Sequence, residues 1–296
     1  MEAPYILHML SPLRHVSPFD INMALDAGFT SAVPYTNVEL AEVAGLVQDA
    51  IFSRGPKLAR RTSVFIGGKN AILALDMLTA ARKAMVPPFA VSVLADPAGS
   101  FTTAAAMVAC AEKALKNQIQ VGLAGRRVVV FGATGVVGFA AGVIAALEQA
   151  KVTLVGYDGP ARVKGLAETA KERFQVDLQS ADGSSDPLKA ALLKDAEVVL
   201  CAGRAGVQVL SAQQIGQASA LKVAADINAV PPAGIEGIGA QDNGVKLGAG
   251  VGIGALAVGG VKYGVEAGLL RRMIESDKPL YLDFRDAFKL AREIVG

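Results

Sequence analysis

The hydrophobic positions of the chain fall into short apolar runs that alternate with longer segments of helical spacing. Each run ends at glycine or polar residues, and apolar residues then recur every three or four positions. This alternation predicts strands and helices in βαβ order, and hence an α/β protein with parallel sheets. The predicted strands cover residues 5–10, 30–35, 62–66, 90–94, 128–131, 151–155, 176–179, 197–200 and 221–224, and long helices are predicted near the end at 251–270 and 283–294.

A glycine-rich turn joins an apolar strand to an Ala-rich helix within residues 127–147. The residues of this turn and of the helix start are Gly132, Thr134, Gly135, Val136, Val137 and Gly138. Strand, tight turn and helix in this order are typical of a dinucleotide-binding unit, where the pyrophosphate lies on free N–H groups at the helix start. An ordinary strand-to-helix turn is one alternative. A membrane span is another, because residues 128–147 carry no charge, but the glycines and the strand–turn–helix pattern argue against it.

The position of this unit divides the chain into two predicted domains. A polar stretch at 115–125 precedes the unit, and the apolar helices after residue 250 are expected to pack back on the first half. We predict a Rossmann-type, doubly wound NAD(P)-binding domain over residues 119–252. Residues 1–118, completed by the C-terminal helices of 253–296, form a second α/β domain.

Composition is that of a two-domain α/β enzyme and excludes few functions. The 296 residues are 52% hydrophobic and include 32 glycines, which suits many tight βα turns. A net charge of +2, the lack of Trp and the lack of a basic patch with aromatics argue against a nucleic-acid partner. Cys110 and Cys201 lie far apart in apolar segments, which predicts reduced thiols in a cytoplasmic protein. No signal peptide and no membrane partner are expected.

Charged residues after the second strand of the cofactor domain bear on the choice of nicotinamide. Asp158 lies 20 residues after Gly138, where an acid bonds the ribose 2′-OH of NAD and repels the 2′-phosphate of NADP. Arg162, four residues further on, could instead reach a 2′-phosphate. The sequence therefore allows either NAD or NADP as the cofactor and slightly favours NAD.

Further cofactor candidates stand where later strands end. They are Ala202, Gly203, Arg204, Asp226 and Asn228. The small residues Ala202 and Gly203 would let a nucleotide pass over the sheet. Asp226 and Asn228 either lie near the nicotinamide or form a turn before two prolines.

Polar residues of the other domain cluster at predicted turns and supply candidates for a second ligand. They are Asp20, Lys69, Asn70, Asp96, Ser100, Thr102 and Thr103, with Lys262 from the late helix. Each also has a structural explanation: Asp20 as a helix N-terminal charge, Thr102 as a cap, Lys262 as a surface lysine.

Several catalytic patterns are missing from the sequence. There is no Tyr-x-x-x-Lys and no Gly-x-Ser-x-Gly, and His8 and His15 lack cysteine companions, so a metal site is not expected. Oxidation of an N–CH2–N methylene group fits this inventory, because the nitrogens stabilise the cation as hydride leaves and no proton moves. The protein then mainly orients and shields the two reacting carbons.

Five blocks of the chain carry a family resemblance. They are residues 6–13 (ILHMLSPL), 65–70 (FIGGKN), 95–103 (ADPAGSFTT), 226–232 (DINAVPP) and 250–262. Together they resemble bacterial methylene-tetrahydromethanopterin dehydrogenases, and more narrowly the NAD(P)-dependent form of methylotrophs. The resemblance covers essentially the whole chain. It implies oxidation of methylene- to methenyl-tetrahydromethanopterin in formaldehyde oxidation, by direct hydride transfer to NAD or NADP.

The resemblance also implies a cytoplasmic homo-oligomer with the pterin in an active-site cleft between the domains. It places Asp20, Thr102 and Lys262 at positions that face the pterin, as positioning residues rather than acids or bases. Strictly NADP-dependent relatives have Arg directly after the glycine that ends the second strand of the cofactor domain. Tyr157 stands there in this chain, which is consistent with NAD or dual use.

Two other functions remain open from the sequence. A methylene-tetrahydrofolate dehydrogenase would share the hydride chemistry, although its usual form has the missing Tyr-x-x-x-Lys. A non-catalytic NAD(P)-sensing module would bind the nucleotide without turning over any pterin.

Overall fold

The computed structural model describes residues 3–296 and has the predicted α/β architecture. Its strands are β1 (Ile6–Leu10), β2 (Ser31–Tyr35), β3 (Thr62–Ile66), β4 (Ser92–Ala95), β5 (Arg127–Phe131), β6 (Lys151–Gly156), β7 (Gln179–Asp182), β8 (Val198–Cys201), β9 (Val223–Asp226), β10 (Asn243–Leu247), β11 (Gly250–Ile253) and β12 (Tyr281–Leu282). Its α-helices are α1 (Pro18–Asp26), α2 (Val43–Phe52), α3 (Pro56–Ala59), α4 (Ala71–Lys83), α5 (Ser100–Ile119), α6 (Val136–Leu147), α7 (Ala161–Phe174), α8 (Asp186–Leu193), α9 (Ala212–Gln217), α10 (Ala255–Glu275) and α11 (Phe284–Val295), with short 3-10 helices at Leu40–Glu42 and Pro97–Gly99.

The chain forms two compact units. One comprises the described residues up to Thr102 together with Tyr263–Leu290, and the other comprises Thr103–Lys262 with Ala291–Gly296. All three changes of unit fall inside helices, namely α5, α10 and α11. The division into folding domains at 118/119 and 252/253 stays a prediction.

A five-stranded parallel sheet forms the centre of the first unit. Its strand order is β2-β1-β3-β4-β12. β3 is buried along its whole length, as expected for a parallel strand covered on both faces. The strand order reverses between β1 and β3, and ligands of open α/β sheets bind at the carboxyl ends of the strands at such a point.

A seven-stranded sheet forms the second unit and has the doubly wound order. Six parallel strands run β7-β6-β5-β8-β9-β11, and β10 adds an antiparallel edge. The order reverses between β5 and β8, which is the dinucleotide switch point of Rossmann-type sheets. The uncharged segment 128–147 is divided into β5, the glycine turn and α6, as predicted. The helices within residues 3–296 all lack the combination of length and hydropathy that a membrane span requires.

The region around residue 250 differs from the prediction. Residues 251–253 were expected to begin a helix, but they form β11 and pair with both β9 and β10. Glycines permit this close packing, because a Cβ on Gly252 would lie 2.9 Å from Ile238 Cγ1 and one on Gly254 would lie 2.0 Å from the Gly239 carbonyl oxygen. α10 therefore begins only at Ala255.

Candidate functional site

The glycine turn after β5 is shaped by two glycines that the fold itself requires. Gly132 has a φ of +72°, and a Cβ there would lie 2.1 Å from the Ala202 carbonyl oxygen at the end of β8. A Cβ on Gly138 would lie 2.5 Å from the Gly132 carbonyl oxygen. Neither position can hold a larger residue, so β5, β8 and the start of α6 meet closely here.

Gly135, between these two, faces open space. It is exposed and precedes α6 with an extended backbone, and the nearest atom to a Cβ there would be the Gly132 carbonyl oxygen at 3.3 Å. No side chain caps α6. The N–H groups of Val136, Val137 and Gly138 in the first helical turn have no acceptor within the helix and lie beside this opening, as an anion site requires. Ala133 is buried, whereas Thr134 is partly exposed at the turn.

An acid and a base are paired after β6. Arg162 Nη1 lies 3.2 Å from Asp158 Oδ2 and donates to the Tyr157 hydroxyl at 3.2 Å. The Arg162 guanidinium also lies 5.8 Å from the centre of the Tyr157 ring, and Tyr157 is 67% exposed. Hydrogen bonds from Asp158 and Tyr157 raise the pKa of the Arg162 guanidinium. The two residues that favour opposite cofactors thus occupy one surface cluster.

The small residues Ala202 and Gly203 follow β8 beside the glycine turn and leave no large side chain above the sheet at this point. Ala202 donates its N–H to the Phe131 carbonyl oxygen at 2.9 Å and is only partly buried. A Cβ on Gly203 would meet Val209 Cγ2 at 2.6 Å, so a glycine is needed there. Arg204 follows with an exposed side chain.

Asp226 and Cys201 form a buried pair where β9 and β8 end. The Asp226 carboxylate accepts the N–H groups of Asn228 at 3.0 Å and Ile235 at 2.9 Å. Burial raises the pKa of Asp226, although these N–H donors oppose the shift. Burial, with a contribution from Asp226, raises the pKa of the Cys201 thiol to about 12. Gly234 covers both groups, since its Cβ would lie 2.8 Å from Asp226 Oδ1 and 2.9 Å from Cys201 Sγ.

Asn228 holds the loops after β8 and β9 together. Its Oδ1 accepts the N–H groups of Gly206 at 3.1 Å and Val230 at 3.0 Å, and its Nδ2 donates to the Pro232 carbonyl oxygen at 2.8 Å. Asn228 is only 6% exposed. The structure thus gives Asp226 and Asn228 a loop-forming role in which their side chains point inward.

In the first unit, a cavity of about 490 Å³ opens where β1 and β3 end. This is the point at which the strand order of that sheet reverses. Its lining residues are Met9, Leu10, Ser11, Leu13, Arg14, His15, Val16, Ser17, Pro18, Asp20, Phe65, Gly67, Gly68, Lys69 and Ala98. Asp20 lies in the first turn of α1 and is 4% exposed, whereas the side chain of Lys69 is exposed.

Asp96 and Thr102 form a fully buried clasp at the start of α5. Asp96 Oδ1 accepts the Phe101 N–H at 2.8 Å, and Asp96 Oδ2 accepts the Thr102 hydroxyl at 2.6 Å. The clasp holds the turn between the two residues, where Ala98 has an unfavourable φ of +53° and Gly99 a φ of +64°. Thr102 is 0% exposed and does not line the cavity, whereas Ala98 in the turn that the clasp holds does.

The remaining predicted residues divide between cap and surface positions. Asn70 Oδ1 caps α4 by accepting the Leu73 N–H at 3.0 Å. Ser100 and Thr103 are partly exposed in the first turn of α5. Lys262 is partly exposed on α10 and belongs to the second unit, whereas Asp20 and Thr102 belong to the first.

The structure adds Arg14 and His15 to the residues around the cavity. Both lie in the loop between β1 and α1, and neither was among the residues predicted for a site. Because this loop directly follows β1, its place at a strand end was the signal that could have marked them. Within residues 3–296 there is no group of three or more His, Cys, Asp or Glu side chains arranged to hold a metal ion.

Comparison with known proteins gives matches in sequence and in structure. A family model described as the N-terminal part of methylene-tetrahydromethanopterin dehydrogenase matches residues 18–98. The chain is 56% identical over 296 residues to an NAD(P)-dependent methylenetetrahydromethanopterin dehydrogenase of Methylorubrum extorquens AM1, covering 99% of this chain and 100% of that protein. It is 33% identical to the bifunctional protein MdtA of the same strain, covering 94% of this chain and 95% of the relative.

A solved structure with the same fold supports the architecture alone. Shikimate 5-dehydrogenase from Listeria monocytogenes, in complex with shikimate and NAD, superposes with a TM-score of 0.53 at 12% identity, covering 99% of this chain and 96% of that one.

Proposed function

The chain belongs to the NAD(P)-dependent methylenetetrahydromethanopterin dehydrogenase family, and we infer that it oxidises 5,10-methylene-tetrahydromethanopterin to the 5,10-methenyl form with NAD or NADP as hydride acceptor. The observation that carries this inference is the 56% identity over 99% of the chain. The doubly wound sheet and the open glycine turn at Gly135 supply what a nicotinamide cofactor needs.

We propose that the second unit holds the pyrophosphate of the cofactor at the start of α6. Gly135 leaves the space, and the N–H groups of Val136, Val137 and Gly138 supply donors at the positive end of the helix. Thr134 and the low surface formed by Ala202 and Gly203 border the same opening, with Arg204 beside them.

Selection of the nicotinamide is assigned to the cluster after β6. Asp158 can accept the ribose 2′-OH of NAD, whereas a 2′-phosphate pairs best with the Arg162 guanidinium. Since the two side chains lie 3.2 Å apart, NADP requires Arg162 to turn from Asp158 to the phosphate. Replacing Arg162 by Ala should raise KM for NADP about tenfold or more and leave KM for NAD within twofold. Equal changes in both constants would contradict this assignment.

The pterin ring is assigned to the first unit's cavity. Asp20 lies in its wall and can accept the ring's N–H groups, and Met9, Leu10 and Phe65 offer apolar contact. Asp96 and Thr102 act as positioning residues through the Ala98 turn, and Lys69 and Asn70 stand at the strand end beside the cavity. Ser100, Thr103 and Lys262 remain proposed pterin contacts.

The chemistry asks the protein for position rather than for proton transfer. Hydride leaves the methylene carbon between two nitrogens, whose lone pairs stabilise the resulting cation, and it arrives at C4 of the nicotinamide. No O–H or N–H bond breaks, so no general base is needed. Cys201 is buried at the end of β8, and the buried Asp226 accepts the Ile235 N–H, so neither group is offered as a catalytic acid or base. The protein's contribution is to align the two carbons and exclude water.

The test is a spectrophotometric assay at 340 nm that pairs each of two carriers with each of two nicotinamides. Methylene-tetrahydromethanopterin should be oxidised with NAD and with NADP, and with a higher kcat/KM than methylene-tetrahydrofolate. Equal or better kcat/KM with the folate would make the chain a folate enzyme. Nucleotide binding without turnover of either carrier would make it a sensing module.

We further propose a cytoplasmic homo-oligomer. Cys110 and Cys201 are free thiols in the structure, as expected for a reducing compartment. Light scattering coupled to size exclusion should give a mass that is a multiple of 30.4 kDa, and a mass of one chain would refute the oligomer.

A further inference from the structure

We propose that the rim of the first unit's cavity binds an anionic group, a phosphate or a carboxylate, on the arm of the one-carbon carrier. This rests on the proposed function for the identity of the carrier. The rim consists of Arg14, His15 and Lys69, whose side chains all line the cavity.

The three rim side chains are exposed and uncommitted. Within residues 3–296, Arg14, His15 and Lys69 make no side-chain hydrogen bond or ion pair with other residues. Some other cations of the chain are engaged in ion pairs: Arg292 binds Glu112, and Arg126 binds Glu197 at 2.9 Å. Two full positive charges and an imidazole around one opening leave a binding site for a negative group.

Two helix N-termini add to the positive potential of the same opening. Ser17 and Pro18, at the start of α1, line the cavity, and the Ser17 side chain makes no capping hydrogen bond. Gly67, Gly68 and Lys69 line it immediately before α4. The partial positive charge at each helix start favours an anion there.

The two loops that carry the rim are fixed by their own contacts. Ser11 is buried, accepts the Leu13 N–H at 3.2 Å and donates its hydroxyl to the His15 carbonyl oxygen at 3.4 Å. Gly68 has a φ of +117°, and a Cβ there would lie 3.1 Å from Pro12 Cγ. The loop after β1 and the loop after β3 therefore pack together, so the rim exists before a ligand arrives.

Asp20 is the one carboxylate among the described residues that line the cavity, and it limits where an anion can lie. Asp20 is 4% exposed and belongs to the wall, whereas Arg14, His15 and Lys69 are exposed at the opening. An anion is repelled by Asp20 and attracted by the rim. A ligand with a neutral, N–H-bearing ring inside and a negative arm outside satisfies both.

Charge-removing variants test the rim. Arg14→Gln and Lys69→Gln should each raise KM for methylene-tetrahydromethanopterin about 10-fold to 100-fold, as expected for the loss of a charge-assisted hydrogen bond, with KM for NAD within twofold. Lys83→Gln is the matched control, because it removes an exposed charge at the other end of α4. It should change neither constant.

Inhibition by small anions identifies the group that is recognised. Inorganic phosphate and glutarate are tested separately. The stronger inhibitor of the two shows whether the rim prefers a phosphate or a carboxylate. Inhibition should be competitive with the pterin and weaker in the Arg14→Gln variant. The proposal is overturned if both variants keep the wild-type KM for the pterin, or if the anions compete only with NAD. If the wild type turns over no pterin, the proposed function fails instead, and calorimetric titration of phosphate into wild type and Arg14→Gln then decides whether the rim binds anions.

Discussion

Replacing Gly135 by Ala tests whether the opening in the glycine turn is kept for the cofactor. The backbone at Gly135, with φ −81° and ψ 161°, suits any L-residue, and the added methyl group would meet only the Gly132 carbonyl oxygen at 3.3 Å. The methyl group instead occupies the space in which the pyrophosphate approaches the first N–H groups of α6.

The two expected magnitudes separate binding from folding. Ala as an N-cap lowers the free energy of unfolding by about 1 kcal/mol relative to Gly. The unfolded chain of the Ala variant has less conformational entropy, which raises the free energy of unfolding by about 0.4–1 kcal/mol, so the net change is small. Tm should therefore move by less than about 4 °C. Loss of one or two hydrogen bonds to a charged phosphate costs about 3 kcal/mol, which raises Kd for NAD roughly 100-fold.

Calorimetric titration with NAD and a thermal melt give both quantities, and two glycines serve as controls. Gly165→Ala, on an exposed position of α7 with no atom within 4 Å of the new methyl group, should leave Kd unchanged. Gly132→Ala should unfold the second unit, because its Cβ would lie 2.1 Å from a carbonyl oxygen. If Gly135→Ala binds NAD within twofold of wild type, the pyrophosphate does not lie where we place it.

Three further predictions concern stability and thiol chemistry. Arg292→Met leaves the buried carboxylate of Glu112 without its bidentate partner. Because the guanidinium is partly exposed, we expect the free energy of unfolding to fall by only about 2 kcal/mol, measured as a lower Tm. The control Lys289→Met removes a surface ion pair and should change Tm by about 1 °C. Burial, together with the nearby Arg54, lowers the pKa of His8 from its ordinary 6.5, so the unfolded chain binds a proton at higher pH than the folded chain and stability is lost as pH falls below about 6.5. His8→Gln should therefore lose less Tm than the wild type between pH 7.5 and 5.0. The same fall in Tm for both proteins would refute this role of His8. Burial raises the pKa of the Cys201 thiol to about 12, so Cys201 should react with a thiol reagent at pH 8 only after unfolding in urea. Peptide mapping separates it from the partly buried Cys110, and rapid labelling of Cys201 in the native protein would contradict its burial.

The βα units were predictable from the sequence because their chemistry is local. An apolar run followed by Gly132, Gly135 and Gly138 predicts a strand, a turn and a helix, and the structure has all three. The pairing of Asp158 with Arg162 was also within reach. Their four-residue spacing at a helix start is that of a helical ion pair, although the sequence alone treated them as competing cofactor contacts.

Features set by distant parts of the chain were not predictable in the same way. The sequence left Asp226 as either a residue near the nicotinamide or part of a turn before two prolines, and it could not show that the carboxylate accepts an N–H as far away as Ile235. The strand β11 was not predicted because the glycine at position 252 is explained by its close packing against Ile238, a contact that the local sequence does not show. The positive φ of Ala98 depends on the hydrogen bonds between Asp96 and Thr102, and the conformational preference of alanine gives no sign of it.

Transfer of a labelled hydrogen shows whether the enzyme passes hydride from the pterin's methylene carbon to the nicotinamide. The enzyme is supplied with tetrahydromethanopterin that carries a CD2 methylene group, and the reduced nicotinamide is analysed by mass spectrometry. Direct hydride transfer without proton exchange predicts one deuterium per NADH or NADPH, in equal amount to the methenyl product. Reduced nicotinamide without deuterium, or no turnover of this carrier by the folded protein, would contradict the account.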